Sequence, residues 1–205
     1  RFVLSGRLRG APGLSGGRDA AARRANRLLY DSLSWQAGGM RRLILMRHAK
    51  SSWADPGQRD LDRPLNKRGR KSAVLIGAWM KANGFLPDVA LVSSARRTQE
   101  TWAGIVSVTR AAPTIYLPEL YHAGPEAMLA VLRAAPDVGT VLMLGHQPGV
   151  SAFACRLLAE PPGDEGIVNY PTAATAVIGF DVDGWEAVGW KAGHLVDFVI
   201  PRALE

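Results

Sequence analysis

The residues best suited to chemistry are two histidines and a group of arginines, each standing at the end of an apolar run. Arg47-His48 directly follows Leu43-Ile44-Leu45-Met46. Ser93-Ser94-Ala95-Arg96-Arg97 follows Val89-Ala90-Leu91-Val92, and Gly145-His146-Gln147-Pro148 follows Val141-Leu142-Met143-Leu144. Imidazole titrates near neutral pH and can act as nucleophile, base or acid. A guanidinium is a permanent cation whose planar fork matches paired phosphate oxygens. These side-chain types together describe a pocket for an anion.

The elements that must position them read as an alternation. Met40–Arg47 and Val89–Ser93 are short continuous apolar runs, as is 141–144, the pattern of strands buried on both faces. Helical spacing lies between them. Leu75, Ala78, Trp79 and Ala82 recur at i, i+3, i+4 and i+7, and Val150, Phe153, Ala154, Leu157 and Leu158 extend a second such stripe. Gly124-Pro125 opens a third, carrying Met128, Leu129, Val131 and Leu132. Strands alternating with helices predict an α/β three-layer sandwich, with a mostly parallel central sheet flanked by helices. Near the C-terminus, segments 176–180 and 185–190 flank Asp181-Val182-Asp183-Gly184, which predicts a hairpin with a positive-φ tight turn. That Asp-x-Asp-Gly string lacks the remaining calcium ligands and reads as a plain turn.

In open α/β sheets, ligands bind beyond the carboxyl ends of the strands. Three segments therefore deliver two histidines and up to three arginines to one edge. Alone, Arg47-His48 is a solvated loop end, Gly-His-x-Pro a helix start, and Arg96-Arg97 an exposed helix face. In combination they carry more, because a charge at the end of a buried strand costs stability unless it is used.

Arg47-His48-Ala49-Lys50-Ser51-Ser52-Trp53 resembles the Arg-His signature of the histidine phosphatase superfamily, in the form of its SixA-like branch. Asp62-Arg63-Pro64-Leu65-Asn66-Lys67-Arg68-Gly69 resembles that branch's segment before its first helix. Segment 93–101 (SSARRTQET) resembles the superfamily's second arginine motif and aligns its arginine with Arg97; segment 144–149 (LGHQPG) resembles its Gly-His-Asn-Pro-Gly motif. The likeness spans about residues 40–199. Ala49 stands where glycine is common, Gln147 where asparagine is, and Glu100 where glutamine is. None of these departures removes a charged catalytic group. Ala49-Lys50-Ser51 also departs from the string of the phosphoglycerate mutases, which share the fold.

The resemblance implies a phosphatase in which His48 attacks phosphorus and becomes a phosphohistidine that water then hydrolyses. His48 must be neutral to attack, and its other ring nitrogen needs a fixed partner such as a backbone carbonyl. Arg47, Arg97 and a protonated His146 are expected to bind the phosphoryl oxygens, with Ser94 placed to cap the helix carrying Arg97. A general acid is the open question. Glu119, after the short strand Thr114–Leu117, sits roughly where mutase-like relatives place an acid, and equally reads as an exposed loop residue. An alkoxide leaves poorly without a proton, an imidazole more easily. This tilts the expected substrate toward protein phosphohistidine or another labile phosphoryl group. A small phosphomonoester is the alternative substrate, and a non-catalytic phospho-ligand protein the alternative function.

Other residues are set aside. His122 and His194 match no motif, and the histidines lack metal-ligand spacing, so neither metal nor cofactor is expected. Cys155, the single cysteine, lies among apolar helix residues and excludes an internal disulfide. Arg63, Arg68 and Lys50 read as pocket mouth or solvated rim.

Hydrophobic residues make up 47% of the 205-residue chain, enough for the core of one domain. No apolar run reaches the ~18 residues of a bilayer span. The net charge of +7 is uneven: residues 1–39 hold seven arginines against two acids, and the rest 18 basic against 16 acidic residues. The body is thus nearly balanced, which argues against a nucleic-acid or membrane partner. Residues 1–39 read as an extension, disordered or foreign to the fold, with a helical turn at most over 27–35. A transit-like peptide and a tail for an acidic partner are the other readings. The domain is assigned to 40–205, and the location expected is cytoplasmic.

Overall fold

A computed structural model describes residues 40–205. The readings of residues 1–39, including the helical turn over 27–35, lie outside the described residues.

Six strands form one sheet: β1 (Met40–Arg47), β2 (Val89–Ser93), β3 (Thr114–Leu117), β4 (Thr140–Gly145), β5 (Thr175–Asp181) and β6 (Gly193–Val199). Their spatial order is β3-β2-β4-β1-β5-β6. The β3-β2, β2-β4 and β4-β1 pairs are parallel, while β1-β5 and β5-β6 are antiparallel. The helices are α1 (Lys67–Ala82), α2 (Arg96–Val106), α3 (Pro125–Arg133), α4 (Gly149–Leu157) and α5 (Glu165–Asn169).

Side chains of a strand alternate between faces, so the continuous apolar runs split into two cores. Leu43, Leu45, Val141 and Met143 join Leu129, Leu132, Val150, Phe153 and Leu157 of α3 and α4. Ile44, Met46, Leu142 and Leu144 join Ala73, Ile76, Met80, Trp102 and Ile105 of α1 and α2. The expected three-layer sandwich is therefore observed. Burial of each such Val, Leu, Ile, Met or Phe side chain contributes roughly 1.5–3 kcal/mol.

Two local expectations are corrected. The α1 stripe that faces the core is Ala73, Ile76, Gly77 and Met80, offset from the set built on Leu75 and Trp79. A Cβ on Gly77 would lie 2.9 Å from the Ile105 carbonyl oxygen, so small residues on this face let α1 and α2 approach closely. The C-terminal hairpin exists, but its return strand is β6 rather than residues 185–190. Trp185 is buried and donates its indole N–H to the Val138 carbonyl at 2.8 Å, which draws Trp185–Ala187 into a 3-10 turn away from β5. Gly184 is accordingly extended, with φ −142°, and no positive-φ turn forms there.

The topology positions the site. β1, β4 and β2 are consecutive neighbours, and Arg47 stands in register with Gly145, and Val92 with Leu144. Three strand ends far apart in sequence thus open side by side, at ~4.8 Å spacing. Among the described residues no helix is long and apolar enough to cross a membrane.

Candidate active site

The strand ends border a pocket of about 330 Å³ lined by Arg47, His48, Lys50, Trp53, Asp60, Arg63, Arg97, His122 and His146, with Ser51, Gln147 and Thr172. Four cationic side chains face one carboxylate, as an anion site requires. Glu119 is elsewhere: it borders a separate, mostly apolar cleft with Leu91, Ile115 and Val131. Arg68 is exposed and is not among the pocket-lining residues. His194 lines a different cleft on β6. Cys155 is half-buried on α4, where burial raises its thiol pKa.

His48 is held as a defined tautomer. Its Nδ1 lies 2.8 Å from the Ala49 carbonyl, which can only accept, so Nδ1 carries the proton and the Nε2 lone pair is free. Burial lowers its pKa to about 4, with Arg97, Arg47 and Arg63 acting in the same direction and the Ala49 carbonyl opposing. The ring is neutral at pH 7. The turn holding it is tied to α2 through Thr101. That hydroxyl accepts from the Ala49 N–H at 3.0 Å and donates to the Arg97 carbonyl at 2.6 Å.

Arg47 donates through one terminal nitrogen to the Tyr170 carbonyl at 2.9 Å. Its Nε is buried without a hydrogen-bond partner. Arg97 is 3% exposed and reaches the pocket from the first turn of α2. The helix starts at Ala95 with no side-chain cap, so Ser94 does not take the capping role expected of it. Thr98 instead turns its hydroxyl back to the Ser93 carbonyl at 2.7 Å.

His146 differs from expectation. The Arg97 guanidinium approaches its Nδ1 at 3.2 Å, and a guanidinium only donates, so Nδ1 accepts. Nε2 pairs with the Ser93 hydroxyl at 2.8 Å. Burial, then His48 and Arg97, push its pKa well below the usual histidine range. In this state His146 is neutral and orients Arg97, rather than offering a third positive charge.

Two pocket residues escaped sequence reasoning. Asp60, on a 3-10 turn, takes Arg97 by its backbone carbonyl at 2.6 Å and its carboxylate at 2.9 Å. It also accepts from Arg63 at 2.7 Å and from the Tyr121 hydroxyl at 2.7 Å. Although burial opposes it, the Tyr121, Arg97 and Arg63 contacts hold the carboxyl well below the usual range. An acid is not what an anion pocket leads one to seek. His122 lies beside Asp60 with φ +53°, uncommon for a residue with a Cβ. No sequence pattern marked it. Arg63 and Lys50 do border the pocket, but Arg63 is a buried wall: it bonds Ser51, Ser52 and Asp60, with Trp53 stacked on its guanidinium at 3.2 Å.

The model of the histidine phosphatase superfamily (branch 1) matches residues 43–123, the span from β1 to His122. A candidate phosphohistidine phosphatase SixA from Nakamurella multipartitia is 32% identical with a TM-score of 0.69, over 80% of this chain and 98% of its own. The chain belongs to the histidine phosphatase superfamily. It falls in the SixA-like branch and is a phosphatase. An uncharacterized protein of Mycobacterium tuberculosis is 37% identical over 166 residues, 77% of this histidine phosphatase and 100% of the relative. A phosphoglycerate mutase from Plasmodium falciparum, 22% identical with a TM-score of 0.52 over 77% of this chain and 95% of its own, shares the fold. Among the described residues of this histidine phosphatase, no cluster of three or more His, Cys, Asp or Glu is placed to hold a metal.

Proposed function

We propose that this phosphatase works through a covalent phosphohistidine at His48, without a metal, on protein phosphohistidine or another labile phosphoryl group. The observation that carries the reading is the His48 tautomer: neutral at pH 7, Nδ1 anchored on Ala49, Nε2 free in a cationic pocket. Nε2 attacks phosphorus, the bond to the leaving group breaks, and water later displaces His48. Arg47 and the Arg97 fork bind the equatorial oxygens as charge spreads over them. The likeness to a candidate SixA and the exposed Lys50 at the pocket rim support an acidic phosphoprotein as substrate.

The test is acid-stable versus base-stable trapping of the labelled enzyme on a phosphohistidine protein, an aryl phosphate and a sugar phosphate. The native protein should carry an acid-labile, base-stable phosphoryl group, and His48→Ala should carry none and lose turnover. Near-normal turnover by His48→Ala would overturn the nucleophile. Preference for the sugar phosphate would overturn the substrate class.

A further inference from the structure

We propose that His122 is the proton donor to the leaving group and then the base that activates water, with Asp60 holding its ring. The inference rests on His48 being the nucleophile.

Arginine and lysine side chains keep their protons near neutral pH. Asp60 is held ionised by Tyr121, Arg97 and Arg63 against the pull of burial, and has no proton to give. His48 is the nucleophile, and both nitrogens of His146 are taken by Arg97 and Ser93. Glu119 borders another cleft. Of the side chains lining the pocket, His122 is the one imidazole left over.

Its setting suits the role. The rings run in sequence His48, His146, His122, with successive centroids 5.1 and 5.4 Å apart and the last pair stacked. Tyr121 packs its edge on His122 at 4.2 Å, and the same Tyr121 donates to Asp60. Asp60 faces His122 Nε2 at 3.4 Å, which leaves Nδ1 to exchange protons. The groups facing His122 are thus Asp60, Tyr121 and His146, with Arg97 behind Asp60. His122 has a positive φ, and the backbone beside it is closely packed: a Cβ on Gly149 would lie 1.9 Å from the Ala123 carbonyl oxygen. Backbone strain maintained by its surroundings is concentrated at functional sites.

The steps balance. As His48 Nε2 bonds to phosphorus, the bond from phosphorus to the leaving atom breaks, and the proton on His122 passes to that atom. Neutral His122 then takes a proton from water as its oxygen bonds to phosphorus and the bond to His48 breaks. Both histidines return to their starting states, with inorganic phosphate released.

The test compares His122→Gln with the native protein on an alkyl phosphate, p-nitrophenyl phosphate and a phosphohistidine protein. His122 is exposed, so the substitution leaves the core untouched. On the alkyl phosphate, kcat should fall on the order of 10²-fold, the usual worth of general acid catalysis. With p-nitrophenyl phosphate, whose leaving group departs unprotonated, the first step should stay near normal while phosphoenzyme accumulates for want of the base. An equal loss in the phosphoenzyme-forming step on all three substrates, or no loss on any, overturns the role of His122. Those outcomes leave His48 standing if His48→Ala is inert, whereas an active His48→Ala removes the nucleophile itself.

Discussion

Arg97 and Asp60 meet at two points, guanidinium to backbone carbonyl at 2.6 Å and guanidinium to carboxylate at 2.9 Å, inside a pocket that otherwise gathers cations. The arginine is 3% exposed and the carboxylate 40%. Asp60 therefore orients the Arg97 fork and, by its charge, opposes an entering phosphate. Asp60→Asn keeps the shape and removes the charge. Inorganic phosphate should bind about tenfold more tightly, ~1.4 kcal/mol, by calorimetry, while turnover falls. Weaker phosphate binding would show that orientation outweighs repulsion.

Arg97 itself carries more. Arg97→Ala should lower kcat on the order of 10²–10³-fold, the scale of losing one preorganised donor to developing charge. Steady-state kinetics on a folded sample, verified by circular dichroism, checks this.

The neutral His48 has a spectroscopic signature. Its ring resonances in an NMR titration should move near pH 4, not near the ordinary histidine value of ~6.5. Movement near neutrality would contradict the burial argument.

Stability should follow the same protons. An unfolded histidine binds a proton near pH ~6.5; folded His48 does so near 4, and His146 lower still, because both are buried. Between those values the unfolded chain holds more protons, so stability is fully present above ~6.5 and declines as pH falls through the window. The melting temperature should drop between pH 7 and pH 5, and His146→Gln should shrink that drop. A pH-independent melt would refute it.

Thr101 is predicted to be a structural tie. Thr101→Val removes both its bond from Ala49 N–H and its bond to the Arg97 carbonyl. A buried N–H left unsatisfied costs roughly 1–3 kcal/mol, measurable by urea unfolding, and the loosened His48 turn should slow turnover. Gly149→Ala is expected to be similarly costly, ~1–3 kcal/mol by overpacking against Ala123.

The features legible in the amino-acid order are local. Apolar runs of strand length ending in Arg47-His48, in the approach to Arg97 and in Gly145-His146 were legible because strand periodicity and strand-end chemistry are properties of neighbouring residues. The resemblance of those segments to a phosphatase family was legible for the same reason. Even there, the α1 face and the hairpin return strand were misplaced, since the burial of Gly77 and Trp185 depends on what packs against them. That β2, β4 and β1 lie side by side follows from the packed fold alone. So does the reach of Asp60 to Arg97 across 37 residues and to His122 across 62. Such contacts come from strand order and loop packing over long separations, which no local pattern encodes. They turned His146 from an expected cation into a neutral partner of Arg97, and brought a histidine with no motif to the pocket wall.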